Sequence, residues 1–354
     1  MLYLLSARDF RNLRPLDWTP GAGSHLLLGG NGAGKTSVLE AIYTLATTRS
    51  FRTAQLAECV RHGADSFHLR GEVHGERRID LEVGWTAGER ARLVNGKSGP
   101  LSSHLAALPV VAWTSAAEAE VLVGPPAARR RFLDRGILGL RPTLLEVLSR
   151  HREALLNKRR LLLDGGEIEV WNEMLADLGA EIIAQRGRYV DQVATALREV
   201  VALSELPFPP IELKYRPSPA AGLHGRGAIA EALAHAAASE RRRGIPLVGP
   251  HRDQLEILWN GHEIRRVASA GERKALSLLL LGAHARVLAH GGRDPLVLLD
   301  DADAELAPPT VAAVWRVFAG APQVIASSNR PQVWLTLDVG TLWEMERGEL
   351  RLLS

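Results

Sequence analysis

Gly29-Gly30-Asn31-Gly32-Ala33-Gly34-Lys35-Thr36 fits the pattern G-x-x-x-x-G-K-[ST]. Its flanks are the ones that pattern needs. Leu26-Leu27-Leu28 leads in as a short apolar strand, and Val38, Leu39, Ile42, Leu45 and Ala46 recur on one face of a following helix. The glycines let the backbone wrap closely around phosphates with its N–H groups turned inward. Lys35 is placed to reach the β- and γ-phosphates and the Thr36 hydroxyl to bind Mg²⁺, with Ser37 beside them. The helix N-terminus adds a favourable end for an anion. A plain Gly-rich turn is the competing reading, and four glycines followed by Lys-Thr argue against it. The loop is read as a nucleoside triphosphate site.

The 354 residues suffice for a large core and more than one lobe. A charged fraction of 23% beside 46% hydrophobic residues is that of an ordinary globular protein. Lysine occurs only at 35, 97, 158, 214 and 274, so arginine carries the basicity, and the net charge of +3 permits a nucleic-acid partner without requiring one. Cys59 is the sole cysteine, which excludes a disulfide framework and a cysteine-based metal site. No stretch approaches the ~20 apolar residues of a membrane span. Arg8, Asp9 and Arg11 follow the apolar start too soon for a signal peptide, so a cytoplasmic protein without a membrane partner is expected.

Along the chain, residues 1–13 read as an edge strand. Ile79, Leu81 and Val83 alternate with polar residues, and Asn95-Gly96 marks a hairpin turn, so this region is expected to be a mixed sheet beside the nucleotide site. Residues 127–203 carry two helical patterns around Asp164-Gly165-Gly166, as an antiparallel helical hairpin requires. A strand is expected at Ile211–Tyr215, an alanine-rich helix at Ile229–Ala238, and a strand at Leu255–Trp259. The organisation read from this is an ATPase lobe in two parts, 1–115 and 245–354, with a helical lobe or arm at 116–244 between them.

The residues that separate one phosphate-loop chemistry from another lie far downstream. Leu296-Val297-Leu298-Leu299-Asp300-Asp301 is an apolar strand closed by two carboxylates, a Walker B pattern. Asp300 is placed to hold Mg²⁺ with Thr36, and Asp301 to orient or deprotonate the attacking water. Lys35, Asp300 and Asp301 are therefore the catalytic candidates. Ser269-Ala270-Gly271-Glu272-Arg273-Lys274 opens a further helix. Alone it reads as a Ser cap with Glu272 closing a capping box. With both Walker motifs present, it stands where ABC-type ATPases carry their signature motif.

Several longer strings make the resemblance specific. They are Asp9-Phe10-Arg11-Asn12, Leu39-Glu40-Ala41-Ile42-Tyr43, Arg49-Ser50-Phe51-Arg52, Arg129-Arg130-Arg131-Phe132-Leu133-Asp134 and Leu247-Val248-Gly249-Pro250-His251-Arg252-Asp253. Together with Leu299-Asp300-Asp301 they run almost end to end. The chain resembles the RecF family, DNA-repair members of the ABC ATPase superfamily related to SMC-type ATPases. The resemblance implies an α/β ABC-type P-loop ATPase head with mixed sheets, flanking helices and an inserted α-helical hairpin lobe. Two departures stand out. The family's usual Ser-Gln-Gly-Gln-Gln-Arg is replaced by a signature containing Glu272, and its usual Ser-Glu-Leu-Asp by Ala304-Glu305-Leu306-Ala307, which lacks the acidic D-loop residue.

The resemblance further implies ATP held between two subunits of a homodimer. One copy supplies Gly29 to Ser37, Asp300 and Asp301; the other brings Ser269 and Gly271 to the γ-phosphate. It implies ATP-dependent closure on double-stranded DNA at double-strand/single-strand junctions, a RecR-type mediator as partner, and a role in loading the recombinase during gap repair and replication restart. Arg49, Arg52, Arg129 and Arg130 are the candidate DNA contacts, since forked guanidinium groups suit phosphates. Arg131 and the Arg241–Arg243 run are further candidates, and each arginine also reads as an ordinary surface charge. A buried structural role is expected for His251. The alternatives are a nucleotide-gated DNA-binding scaffold that hardly hydrolyses ATP, in keeping with Ala307, or another SMC-like ATPase.

Overall fold

The computed structural model describes residues 1–114, 119–219 and 225–353. The chain opens with β1 (Leu2–Arg8), β2 (Leu16–Trp18) and β3 (Gly23–Leu28), then α1 (Lys35–Thr47). Next come β4 (Ser66–His74), β5 (Arg78–Thr86), β6 (Glu89–Val94), α2 (Leu101–Ala107) and β7 (Val110–Trp113). Three longer helices follow, α3 (Pro126–Leu140), α4 (Leu144–Asp164) and α5 (Glu169–Ser204). After them stand β8 (Ile211–Arg216), α6 (Arg226–Arg243), β9 (Gln254–Trp259) and β10 (His262–Glu263). The final stretch carries α7 (Ala270–His290), β11 (Leu296–Asp300), α8 (Pro308–Phe318), β12 (Gln323–Ser328), β13 (Thr341–Glu346) and β14 (Glu349–Leu352).

Two compact units result. One comprises Met1–Ala119, Ala196–Pro207 and Ser269–Ser354; the other comprises Glu120–Thr195 and Phe208–Ala268. The first holds a six-stranded sheet in the order β14-β13-β3-β12-β11-β7, parallel except for the β13–β14 pair. Its interior strands β11 and β12 are buried almost end to end, which explains the near-continuous apolar run of β11. Val38, Leu39, Ile42 and Leu45 of α1 join Leu298 and Ile325 of those strands in one core.

The second sheet of this unit runs β2-β1-β4-β5-β6 and is antiparallel throughout, not mixed. Nor is β1 an edge strand. Leu16–Trp18 returns against one side of it and β4 pairs with the other, so its backbone groups are paired on both sides, while Leu2, Leu5 and Ala7 are buried in the core. The hairpin turn at Asn95-Gly96 is present, with both residues at positive φ.

In the second unit, α4 ends on Gly165 in the left-handed region, and Leu161 O accepts from the Gly166 amide. The two helices flanking this turn were legible in the sequence, and Ala154 of α4 packs with Leu175, Ala176 and Ile183 of α5 and with Ile229 and Leu233 of α6. The α6 helix is longer than its alanine-rich stretch and takes in Arg241–Arg243 as its last turn before Gly244. β9 pairs with β8 (Tyr215 opposite Leu255) and with β10. That pairing places residues 245–268 in the second unit, whereas the sequence division at 245 put them with the ATPase lobe; the division at 115/116 lies outside the described residues. Among the described residues no helix is long and apolar enough to cross a membrane.

Candidate nucleotide site

The phosphate loop leaves the end of β3 and enters α1 at Lys35. A neighbouring strand dictates the glycine at 29, and the backbone conformation that at 34. A Cβ at Gly29 would meet Met345 O at 2.3 Å, and one at Gly34, which sits at φ 120°, would meet Met345 Cε at 2.6 Å. Lys35 Nζ donates to Gly29 O (2.9 Å) and Gly30 O (3.1 Å), so its ammonium lies across the loop. Asn12 ties the loop from outside, donating Nδ2 to Gly32 O (2.8 Å) and accepting from Ser37 Oγ (2.7 Å). Asn329 donates to Asn31 Oδ1 (2.9 Å). The loop is thus pinned at both flanks.

Parallel β11 and β12 end in register, Asp300 opposite Ser327, with Ser328 opposite Leu28 of β3. The crevice beyond the carboxyl ends of such strands is where ligands of α/β sheets bind. Asp300 Oδ1 accepts from Thr36 Oγ1 at 2.9 Å and from Ser327 Oγ at 2.8 Å, and Ser327 Oγ accepts the Asp301 amide at 2.9 Å. Burial raises the Asp300 carboxyl above its ordinary range against the pull of these two hydroxyls. Burial also raises Asp301, opposed chiefly by the Lys35 charge. Asp301 Oδ1 is buried and has no hydrogen-bond partner among the described residues.

Of these groups, Lys35, Thr36 and Asp301 line a cavity of about 560 Å³. Asn31, Gly32, Gly34, Lys35, Thr36, Ser37 and Asp301 form its phosphate side, and Arg11, Asn12, Arg52, Val60 and His62 the remainder. The volume falls in the range of small-molecule sites. Ser269 and Gly271 do not line it. They stand exposed at the start of α7, where Ser269 Oγ accepts the Glu272 amide (3.3 Å) and Glu272 Oε2 accepts the Ser269 amide (2.7 Å). The capping box read from the sequence is formed.

No family model matches the chain. Curated relatives do. The DNA replication and repair protein RecF of Anaeromyxobacter sp. (strain Fw109-5) is 39% identical over 327 residues, 87% of this chain and 86% of the relative. That of Myxococcus xanthus (strain DK1622) is 35% identical over 364 residues, 97% and 94% of the two chains. This chain belongs to the RecF family. A solved structure of the recombination mediator protein RecF-ATP in the RecFOR pathway superposes with a TM-score of 0.88 at 25% identity, covering 100% of this chain and 97% of that one. An SmcHead bound to the C-winged helix domain of ScpA superposes with a TM-score of 0.60 at 14% identity over 99% and 96% of the two chains. The fold is that of an ABC-type ATPase head.

Several RecF-like strings now have a physical reason. Glu40 is fully buried on α1, where it accepts Arg11 Nε (3.0 Å), Arg11 Nη2 (2.6 Å), Ser50 Oγ (2.5 Å) and, more distantly, Arg52 Nη1 (3.3 Å). The Asp9–Asn12, Glu40 and Arg49–Arg52 strings therefore meet at one wall of the cavity. Sequence reading singled out Arg52 only as a DNA contact, and missed Arg11, Asn12 and Asn329. Arg11 and Asn12 stood in a matched string, whereas Asn329 stood in none, and nothing in local spacing links residues 12, 31 and 329. Arg49 is exposed, with its charge felt at Arg90.

In the second unit, Asp134 and Asp253, the last residues of the two most distinctive strings, share Arg186. Arg186 donates to Asp134 (2.9 and 3.0 Å), to Asp253 Oδ2 (2.8 Å) and to Pro250 O (2.6 Å). Tyr215 and the Ser218 amide also donate to Asp253. Arg129 donates to Val121 O (3.1 Å) and Leu122 O (3.4 Å), and Arg130 to Asp253 O (2.8 Å). Both arginines thus hold backbone.

His251 of the same region accompanies His151, with ring centroids 6.4 Å apart. Burial pushes each imidazole down to about 4. An unfolded histidine titrates near pH 6.5, so between that pH and about 4 the unfolded chain takes up protons that the folded unit refuses. Their contribution is complete above about pH 6.5 and is lost as pH falls, up to about 3 kcal/mol for either imidazole taken alone. The thermal midpoint is expected to drop between pH 7 and pH 5, and to drop less in His151→Phe; equal drops in the two proteins would refute the assignment.

Proposed function

We propose that this chain is an ATP-dependent DNA-binding clamp of recombinational gap repair and replication restart that acts in the cytoplasm. The observation that carries the reading is the contact of Thr36 with Asp300 at a cavity lined by Lys35, Thr36 and Asp301. The phosphate-loop amides and Lys35 hold the triphosphate. Thr36 and Asp300, two hard oxygen donors, suit Mg²⁺, which would neutralise phosphate charge there. Asp301 orients the attacking water and accepts its proton. ATP as ligand is supported by the RecF-ATP structure.

Exposed Ser269 and Gly271 serve a second copy's γ-phosphate, so that ATP bridges two subunits and hydrolysis removes the bridge. The closed dimer holds double-stranded DNA at junctions with single strands, with exposed Arg49 as the leading phosphate contact, and a RecR-type mediator as protein partner. Arg52, Arg129 and Arg130 are weaker DNA candidates because each already serves a carboxylate or carbonyl.

Lys35→Met is expected to bind ATP about 100-fold more weakly, the scale of losing a buried charge-assisted contact. It should stay monomeric with ATP; a Lys35→Met protein that still dimerises would sink the reading. Ala307, in place of the acidic D-loop residue, supports a second reading, a scaffold that binds ATP and barely hydrolyses it. Phosphate release with and without duplex DNA separates the two, turnover stimulated by DNA favouring the first and its absence the second.

A further inference from the structure

Lys274 lies on α7 and is only 6% exposed. Its Nζ donates to Ala304 O at 2.5 Å and stands 4.9 Å from the centre of the Trp113 ring. Trp113 Nε1 donates to Ser277 Oγ (2.8 Å), and Ser277 Oγ donates to Lys274 O (2.7 Å), so ring, serine and lysine fix one another. An ammonium over an aromatic face beside a carbonyl is well placed for its charge, which burial would otherwise penalise.

The carbonyl it holds belongs to the loop after β11. The same loop is held from a second direction by the end of β12. Arg330 Nη1 donates to Asp303 O (2.6 Å) and Leu306 O (3.1 Å), and Ser328 Oγ donates to Asp303 Oδ2 (2.7 Å). This loop carries strain. Asp301 at φ 47° and Glu305 at φ 63° are non-glycine residues in the left-handed region, and such residues persist where the surroundings over-determine them. The loop contains no glycine that would adopt the shape unaided.

We propose that Lys274 and Arg330 form a cationic clamp on the backbone of residues 301–306, and act as positioning residues that keep the Asp301 carboxylate turned into the nucleotide cavity within a single copy of the chain. Neither touches the cavity itself. The catalytic consequence rests on the hydrolytic reading above; the clamp itself does not.

The test is Lys274→Met, which keeps most of the side-chain volume, in two measurements. In the ATP-free protein, the amides of Asp301, Ala304 and Leu306 bond to Ser327 Oγ, Asp301 O and Asp303 O. They are expected to exchange hydrogen at least about 10-fold faster in the variant. In turnover, kcat is expected to fall about 10-fold with ATP affinity unchanged, as when a reacting group is misplaced. Adding Glu305→Gly, which removes one left-handed penalty at an exposed position, should recover part of the rate, a rescue that loss of mere packing would not show. Should Lys274→Met fail to fold, Arg330→Gln gives the same readouts. Unchanged exchange overturns the clamp whatever the turnover. Faster exchange in a protein whose parent hydrolyses no ATP upholds the clamp and refutes the hydrolytic reading instead.

Discussion

Asp301→Asn is expected to cut ATP turnover by about 10²- to 10⁴-fold, the contribution of a positioned general base, while leaving ATP binding intact. The amide keeps the size of the side chain and its place in the cavity but cannot take the proton of the attacking water. Asp300→Asn should behave differently. Asp300 accepts from Thr36 and Ser327, so its loss weakens the Mg²⁺-dependent part of nucleotide binding as well as turnover. Single-turnover hydrolysis and equilibrium nucleotide binding, measured on both variants, separate the roles. An Asp301→Asn protein that hydrolyses at the parent rate would remove Asp301 from the mechanism.

Arg186→Met is expected to destabilise the second unit by about 3–5 kcal/mol, because it strips the partner from a buried carboxylate and does not replace the pair. Asp253 has no side-chain exposure and would keep only Tyr215 and the Ser218 amide. Its carboxyl is already raised by burial against the Arg186 charge, and without that charge it would go higher. Arg186→Lys should rescue little, since one ammonium cannot serve Asp134 through two parallel bonds while also reaching Asp253 and Pro250 O. Urea unfolding checks this, and a loss below about 1 kcal/mol would mean that the network is surface-like in strength.

How far the sequence carried depended on whether a feature is local. The phosphate loop, β11 and the Ser269–Glu272 cap are short-range patterns, and each stands where its spacing put it. The helices around Gly165 were equally readable because their apolar stripe repeats. Sheet partners are not local. β1 looked like an edge strand because nothing near it announces that Leu16–Trp18 folds back and that β4 arrives from 60 to 71 positions away. The assignment of residues 245–268 failed for the same reason, since β9 is claimed by β8 across an intervening helix. At the site, Asn12, Asn31 and Asn329 meet only through the sheet. Arg52 illustrates a further limit. Charge made it a candidate for DNA, whereas its bond to Glu40 depends on a buried carboxylate that reads in sequence as one more solvated glutamate.

In the proposed dimer one copy holds only part of the site, because Ser269 and Gly271 do not line the cavity that Lys35, Thr36 and Asp301 line. Solution mass of the parent protein with Mg²⁺, with and without ATP, tests it most directly. A monomer that becomes a dimer when ATP is added, and returns to monomer in the Lys35→Met variant, is the predicted result. An unchanged mass at ATP concentrations that saturate the site would contradict it.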